Sequence, residues 1–177
     1  LHAYANPLHE LRAGKLIQAA FPQMLVSLSS DVSPQIREYE RTSTTVVNAY
    51  IKPLAESYLE LLASEIAKLG IKAPLFMMLS NGGLTHIAEA KRVPVQLLES
   101  GPAAGALAGA LFGKRSGIDD VLAFDMGGTT AKLAMVEDGA PLIAYQFEAS
   151  RAKRFAEGSG LPVNISTIEL IEIGAGG

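Results

Sequence analysis

The chain has 177 residues, of which 49% are hydrophobic and 19% charged, with a formal net charge of −3 and no cysteine. That is enough apolar material for a sizeable core and too much for a disordered chain. The balance of charge points to neither nucleic acid nor an anionic membrane surface, no apolar run nears the roughly 20 residues that cross a bilayer, and disulfides, thiolate metal sites and a cysteine nucleophile are excluded.

From Leu8 onward, Leu11, Ile17 and Ala20 predict a short amphipathic helix. His9-Glu10 has no second histidine at helical spacing, so it is not a zincin signature. Residues 24–29 read as a strand. Ser33 and Pro34 then read as the N-cap and first position of a short helix over 36–41. Arg41 either pairs with Glu38 or Glu40 or reaches an anionic ligand with its planar fork. Over 45–69, Val47, Ile51, Leu54, Tyr58, Leu61, Leu62 and Ile66 recur at three- and four-residue steps, which predicts a long helix with one core-facing stripe. Pro53 should kink it and Gly70 should end it.

Residues 75–79 predict a strand that ends in the turn Ser80-Asn81-Gly82-Gly83. Residues 93–98 predict a short extended piece that Pro94 keeps at an edge. Ser100 reads as the N-cap of a helix to about Phe112, with Pro102 in its first turn. Gly101, Gly105 and Gly109 fall on one face of that helix. A glycine face costs about 1 kcal/mol per residue relative to alanine, so close approach of a strand or a phosphate must compensate.

The most informative stretch comes next. Val121 to Phe124 reads as a buried strand that ends in Asp125, Gly127-Gly128-Thr129-Thr130 as a tight turn, and Leu133 to Val136 as a second strand closed by the hairpin signal Asp138-Gly139. Glycine amides and threonine hydroxyls can cradle a phosphate, and a carboxylate at a strand end can hold Mg2+ through water. An ordinary β-turn with a solvated acid has the same residue types, so composition leaves the two open. Residues 142–147 predict the returning strand, 151–160 a mobile polar loop, and 163–173 a strand-like stretch before Gly174-Ala175-Gly176-Gly177.

Several of these stretches resemble one family. Asp-Met-Gly-Gly-Thr-Thr looks like the second phosphate loop of the actin-like ATPases. Ser-Gly-Pro-Ala-Ala-Gly and the long run from Ser27 to Thr45 are similar to the hydantoinase A / 5-oxoprolinase family within that group. The resemblance implies an α/β, ribonuclease-H-like domain with a mixed sheet flanked by helices, formed by residues 1–177 as a single domain within a longer chain. It implies ATP and Mg2+ as cofactors, with Asp125 toward the metal and Gly127, Gly128, Thr129 and Thr130 around phosphate. Ser100 and Gly101, the Asn81-Gly82-Gly83 turn, and Gly174 and Gly176 would lie near the nucleotide. Lys132 departs from the pattern, because many members carry an acid there. A lysine in that place can meet phosphate as a point charge.

The activity implied is ATP-dependent ring opening of a cyclic amide such as hydantoin, N-methylhydantoin or 5-oxoproline, in a cytoplasmic enzyme, with a second hydantoinase or carboxylase subunit as a possible partner. The alternative is a nucleotide-binding subunit of a ketone carboxylase without ring-opening activity of its own. No residue presents itself as catalytic base or nucleophile, and the chain on its own is expected to be inactive.

Overall fold

Helix α3 (Glu38–Lys68) is 31 residues long and is the backbone on which the first part of the chain is laid. In the computed structural model, which describes residues 2–128, 130–149, 151–153, 156 and 158–174, the elements run α1 (Leu8–Ala20), α2 (Ser29–Val32), α3, β1 (Phe76–Met78), β2 (Leu84–His86), α4 (Ile87–Arg92), a 3-10 turn (Pro94–Leu97), α5 (Ser100–Ser116), β3 (Val121–Met126), β4 (Ala131–Glu137), β5 (Ala140–Pro141), β6 (Ile143–Ala144), β7 (Phe147–Ala149), β8 (Leu161–Val163), β9 (Thr167–Ile168) and β10 (Ile171–Ile173). They form two compact units. One comprises Leu1–Phe76, His86–Val95 and Gln146–Ile165, and the other Met77–Thr85, Gln96–Tyr145 and Ser166–Gly177. Among the described residues no helix is long and apolar enough to cross a membrane.

In the first unit, the predicted short helix and the predicted long helix are one. Arg37, with φ 73°, turns the chain into α3, and Ser33-Pro34 stays in the loop before it. The helix continues through Pro53 and ends with Gly70 at φ 78°, the left-handed position that glycine fills without strain. The inward face also differs from the predicted stripe. Thr44, Asn48 and Leu59 are buried, whereas Leu54 and Tyr58 are exposed. The buried polar groups explain the difference, because each is hydrogen-bonded. Thr44 Oγ1 accepts from Asn164 N–H at 2.8 Å. Asn48 Oδ1 accepts from Val95 N–H at 3.1 Å, and its Nδ2 donates to Ser27 Oγ at 3.1 Å.

Residues 24–28 are not a strand. Their groups are met by side chains instead of a ladder, with Lys52 Nζ donating to Val26 O at 3.0 Å. The Glu10 carboxylate accepts from Ser29 and Ser30 N–H. Arg41 is buried, donates to Gln35 O at 3.0 Å and lies 5.6 Å from the Tyr4 ring centre.

The second unit is built on β4. It pairs with β3 on one edge and with β10 and β5 on the other, all antiparallel. Asp138 (φ 51°) and Gly139 (φ 77°) make the two-residue turn from β4 to β5, as the Asp-Gly signal predicts. The strand that returns is only Ala140–Pro141, and residues 142–147 break into parts of β6 and β7 instead of one strand.

Helix α5 packs on the face of the sheet that carries Val121, Ala123 and Ala134. Its core contact is made by Ala103 and Ala106 with Ala134 and Ile168. Small residues allow this approach. A Cβ on Gly109 would sit 3.2 Å from Ala123 Cβ. One on Gly113 would sit 2.6 Å from Val121 Cγ2 and 2.7 Å from Ile118 O. The opposite face is open: Leu122 and Phe124 are each 60% exposed, so β3 is half-buried and not the fully buried strand expected.

Where the sequence predicts an extended piece over 93–98, Pro94–Leu97 form the 3-10 turn. Ser80 fixes them, its N–H donating to Gln96 O at 2.8 Å and its hydroxyl lying against Gln96 O and Leu98 O.

Two outcomes are expected. Gly113→Ala should destabilise the fold by about 1–3 kcal/mol through overpacking against β3, as read by urea denaturation; an unchanged midpoint would mean that the helix and sheet are not held at this distance. The second concerns Glu148. The Gly158 N–H bond holds this carboxyl below its ordinary value of 4.5, against the opposing effect of burial, and Gly160 N–H and Arg151 add to the lowering. A depressed folded-state value gives stabilisation that is present above the unfolded value and is lost as pH falls through the folded one. The stability difference between wild type and Glu148→Gln should therefore shrink on acidification below about pH 4.5, and a difference that grew there would contradict it.

Candidate functional site

The β3–β4 hairpin turns within four residues. Gly127 N–H donates to Thr130 O at 3.0 Å, which closes the turn. The register pairs Asp125 with Lys132, and Lys132 in turn with Glu172 of β10. Directly opposed residues in an antiparallel ladder share a face. Asp125, Lys132 and Glu172 therefore form one lateral row, on the side of the sheet that α5 covers.

The start of α5 meets this row. A small cleft of about 50 Å3 is lined by Pro102 and Gly105 of the helix, Asp125 and Lys132 of the hairpin, and Leu170. A wider hollow lies at the far end of the same hairpin, around Asp120 and Asp138, away from the glycine turn. The first cleft is the one with chemistry, since a carboxylate and an ammonium line it beside the first turn of α5.

Glu99, and not Ser100, is the N-cap residue of α5, and it has left-handed backbone angles, φ 64° and ψ 18°. For a residue with a Cβ this costs on the order of 1–2 kcal/mol. Its side chain makes no capping bond to the helix. It forms an ion pair with Lys132 Nζ, and Glu172 Oε1 lies 3.7 Å from the same nitrogen. The Lys132 side chain is only 18% exposed between these two acids. Asp125 is exposed and, among the described residues, has no ion pair. The first turn of α5 is thus left without a side-chain cap, and its free N–H groups favour an anion.

The glycines sort by what the fold asks of them. Gly82 needs to be glycine for internal reasons: its φ is 83°, and a Cβ would lie 2.8 Å from Leu107 Cδ1. Asn81 Oδ1 accepts from Gly83 N–H at 2.9 Å, a local turn bond. By contrast, Gly101, Gly105, Gly127 and Gly128 have neither positive φ nor any atom within 4 Å of an added Cβ. Nothing inside the described fold requires glycine at these four positions. Gly174 follows Ile173, which pairs with Ala131, so the register brings Gly174 to the Thr130 end of β4. Thr129 and Gly176 lie outside the described residues, as does part of the predicted 151–160 loop.

Among the described residues no three His, Cys, Asp or Glu side chains come together as a metal cage, and His9 belongs to no such group. The Asp125 carboxylate, without an ion pair among the described residues, still fits Mg2+, which keeps several waters and leans on one or two carboxylates plus phosphate oxygens. Sequence reasoning missed Glu99 and Ser80. The signal available for Glu99 was an acid directly before a helix start, with a lysine in the hairpin 33 residues on.

Comparison with known proteins identifies the family and the fold. The sequence model of the hydantoinase/oxoprolinase family matches residues 41–177. An uncharacterized protein of Methanocaldococcus jannaschii is 42% identical over 100% of this chain and 26% of its own length. The caprolactamase subunit alpha of Pseudomonas jessenii is 36% identical over 97% of this chain and 23% of its own length. The crystal structure of the ATP-dependent caprolactamase from that organism superposes with a TM-score of 0.70 at 30% identity, over 99% of this chain and 24% of that one. The nucleotide-free structure of acetone carboxylase gives a TM-score of 0.80 at 24% identity, again over 99% of this chain and 24% of that one, a likeness of fold. The chain spans about a quarter of the length of these proteins. Its fold is α/β of the actin-like ATPase type, and the chain belongs to the hydantoinase/oxoprolinase family.

Proposed function

We propose that this chain is the phosphate-binding part of an ATP-dependent enzyme that opens a cyclic amide such as hydantoin, N-methylhydantoin or 5-oxoproline. The observation that carries the reading is the cleft itself. Asp125 and Lys132 line it together with Pro102 and Gly105 of α5, and the fold itself does not ask for glycine at Gly105. Ring opening is preferred to ketone carboxylation because the caprolactamase subunit is 36% identical, whereas the acetophenone carboxylase gamma subunit is 28% and the acetone carboxylase beta subunit 24% identical.

Mg-ATP, when bound, supplies the activating phosphoryl group that makes a stable amide open to water. Asp125 would hold Mg2+, with water between, at the end of β3. The turn at Gly127, Gly128, Thr129 and Thr130, through its hydroxyls and the amides not used to close it, and the α5 start at Ser100 and Gly101 would hold phosphate oxygens. Lys132 would meet phosphate as a point charge only on exchanging one of its two acids, Glu99 or Glu172, for it. The Asn81-Gly82-Gly83 turn and Gly174-Ala175-Gly176 would border the nucleotide. Positioning and neutralisation of charge are the main demands of phosphoryl transfer. The groups that bind and open the amide would lie in the rest of the enzyme or in a second subunit, as the name of the caprolactamase subunit alpha suggests for that protein. The enzyme would be cytoplasmic, and the chain alone inactive.

In the full-length protein, Asp125→Ala should lower Mg-ATP-dependent ring opening by on the order of 10² or more, the scale of losing a main electrostatic contact. Unchanged turnover would remove Asp125 from the site. Gly101→Ala should weaken nucleotide binding while leaving stability equal or higher, because the added methyl meets open space inside the chain and alanine is the better helix former. Equal loss of both would make Gly101 merely structural.

A further inference from the structure

Lys132 lies directly opposite Asp125 in the ladder, where cross-strand pairing of unlike charges is the ordinary outcome. It does not pair there. Its ammonium is held by Glu99 from the helix start and by Glu172 from the other neighbouring strand. Asp125 is left exposed and without an ion pair among the described residues.

Glu99 reaches this place from a strained backbone. It keeps a left-handed conformation and makes no capping bond to its own helix. The run before it is tied down, because Ser80 contacts the carbonyls of Gln96 and Leu98. Strain of this kind persists where the surroundings impose it, and it is concentrated at working sites.

We propose that Glu99, supported by Glu172, is a positioning residue that draws Lys132 off Asp125 and so keeps the Asp125 carboxylate open to a divalent cation. This rests on the assignment of Asp125 as the cation's carboxylate. The physical basis is competition. An ammonium and a metal ion seek the same carboxylate oxygens, and a lysine satisfied by two other acids no longer contests them. The Asp125 carboxylate is then left charged and open beside the paired ammonium.

The test is Mn2+ affinity in the full-length protein saturated with a non-hydrolysable ATP analogue, with free Mn2+ read from its paramagnetic resonance signal. Glu99→Gln releases Lys132 to Asp125 and should weaken Mn2+ binding by about three- to tenfold, the worth of a partly exposed ion pair. Glu99→Gly should do the same while folding at least as well, since φ 64° suits glycine. Adding Lys132→Gln to Glu99→Gln removes the competitor and should restore the affinity. The proposal is overturned if both Glu99 variants bind Mn2+ like wild type while Asp125→Asn does not, or if the double variant stays as weak as Glu99→Gln. If Asp125→Asn itself binds Mn2+ like wild type, the assignment of Asp125 fails and the role of Glu99 fails with it.

Discussion

The second unit depends on how closely helix α5 approaches strand β3. Gly113 leaves no room for a Cβ against Val121 and Ile118, and Gly109 leaves little against Ala123. Alanines at 103, 106 and 134 fill the rest of the contact. Glycine in a helix costs about 1 kcal/mol each time, and here the cost is offset by packing that no larger residue could make. The consequence is positional. With its C-terminal half seated on β3, the helix brings its N-terminus to the end of the strand where Asp125 stands. An acid and a lysine then meet beside the first turn of the helix in one small cleft.

Around that contact the structure separates two kinds of glycine. Gly82, Gly109 and Gly113 answer to internal demands, a positive φ or a missing Cβ. Gly101, Gly105, Gly127 and Gly128 answer to none inside the described fold. Glycine without an internal reason, in the β3–β4 turn and the first turns of α5, leaves the backbone there open to close approach from outside. The ion pairs give the cleft its polarity. Glu99 and Glu172 flank Lys132, while Asp125 faces solvent.

Much of this was legible in the sequence. The strand, glycine turn, strand and Asp-Gly hairpin from Val121 to Ala140 were readable because each step has its own local chemistry: an apolar run, then glycine, then a two-residue turn. The helix from Ser100 was readable for the same reason, although Glu99 and not Ser100 caps it. What failed depended on partners distant in sequence. The face of α3 was misread because Thr44 and Asn48 turn inward to Asn164 and Val95, and no periodicity of apolar residues can signal that. Residues 24–28 carry strand-forming side chains but have no strand to pair with, so Lys52 and Asn48 serve their polar groups instead. The pairing of Lys132 with Glu99 was likewise invisible, since it needs both the left-handed turn at Glu99 and the register of β3 against β4.

The most direct test of the cleft is the structure of the full-length protein with Mg2+ and a non-hydrolysable ATP analogue. Phosphate oxygens within hydrogen-bonding distance of the turn amides at 128–130 and of the α5 start, with the Mg2+ on the Asp125 side, are the predicted result. A nucleotide bound elsewhere, with the turn and the helix start making no contact to it, would contradict the phosphate cradle and leave the glycine turn a structural hairpin.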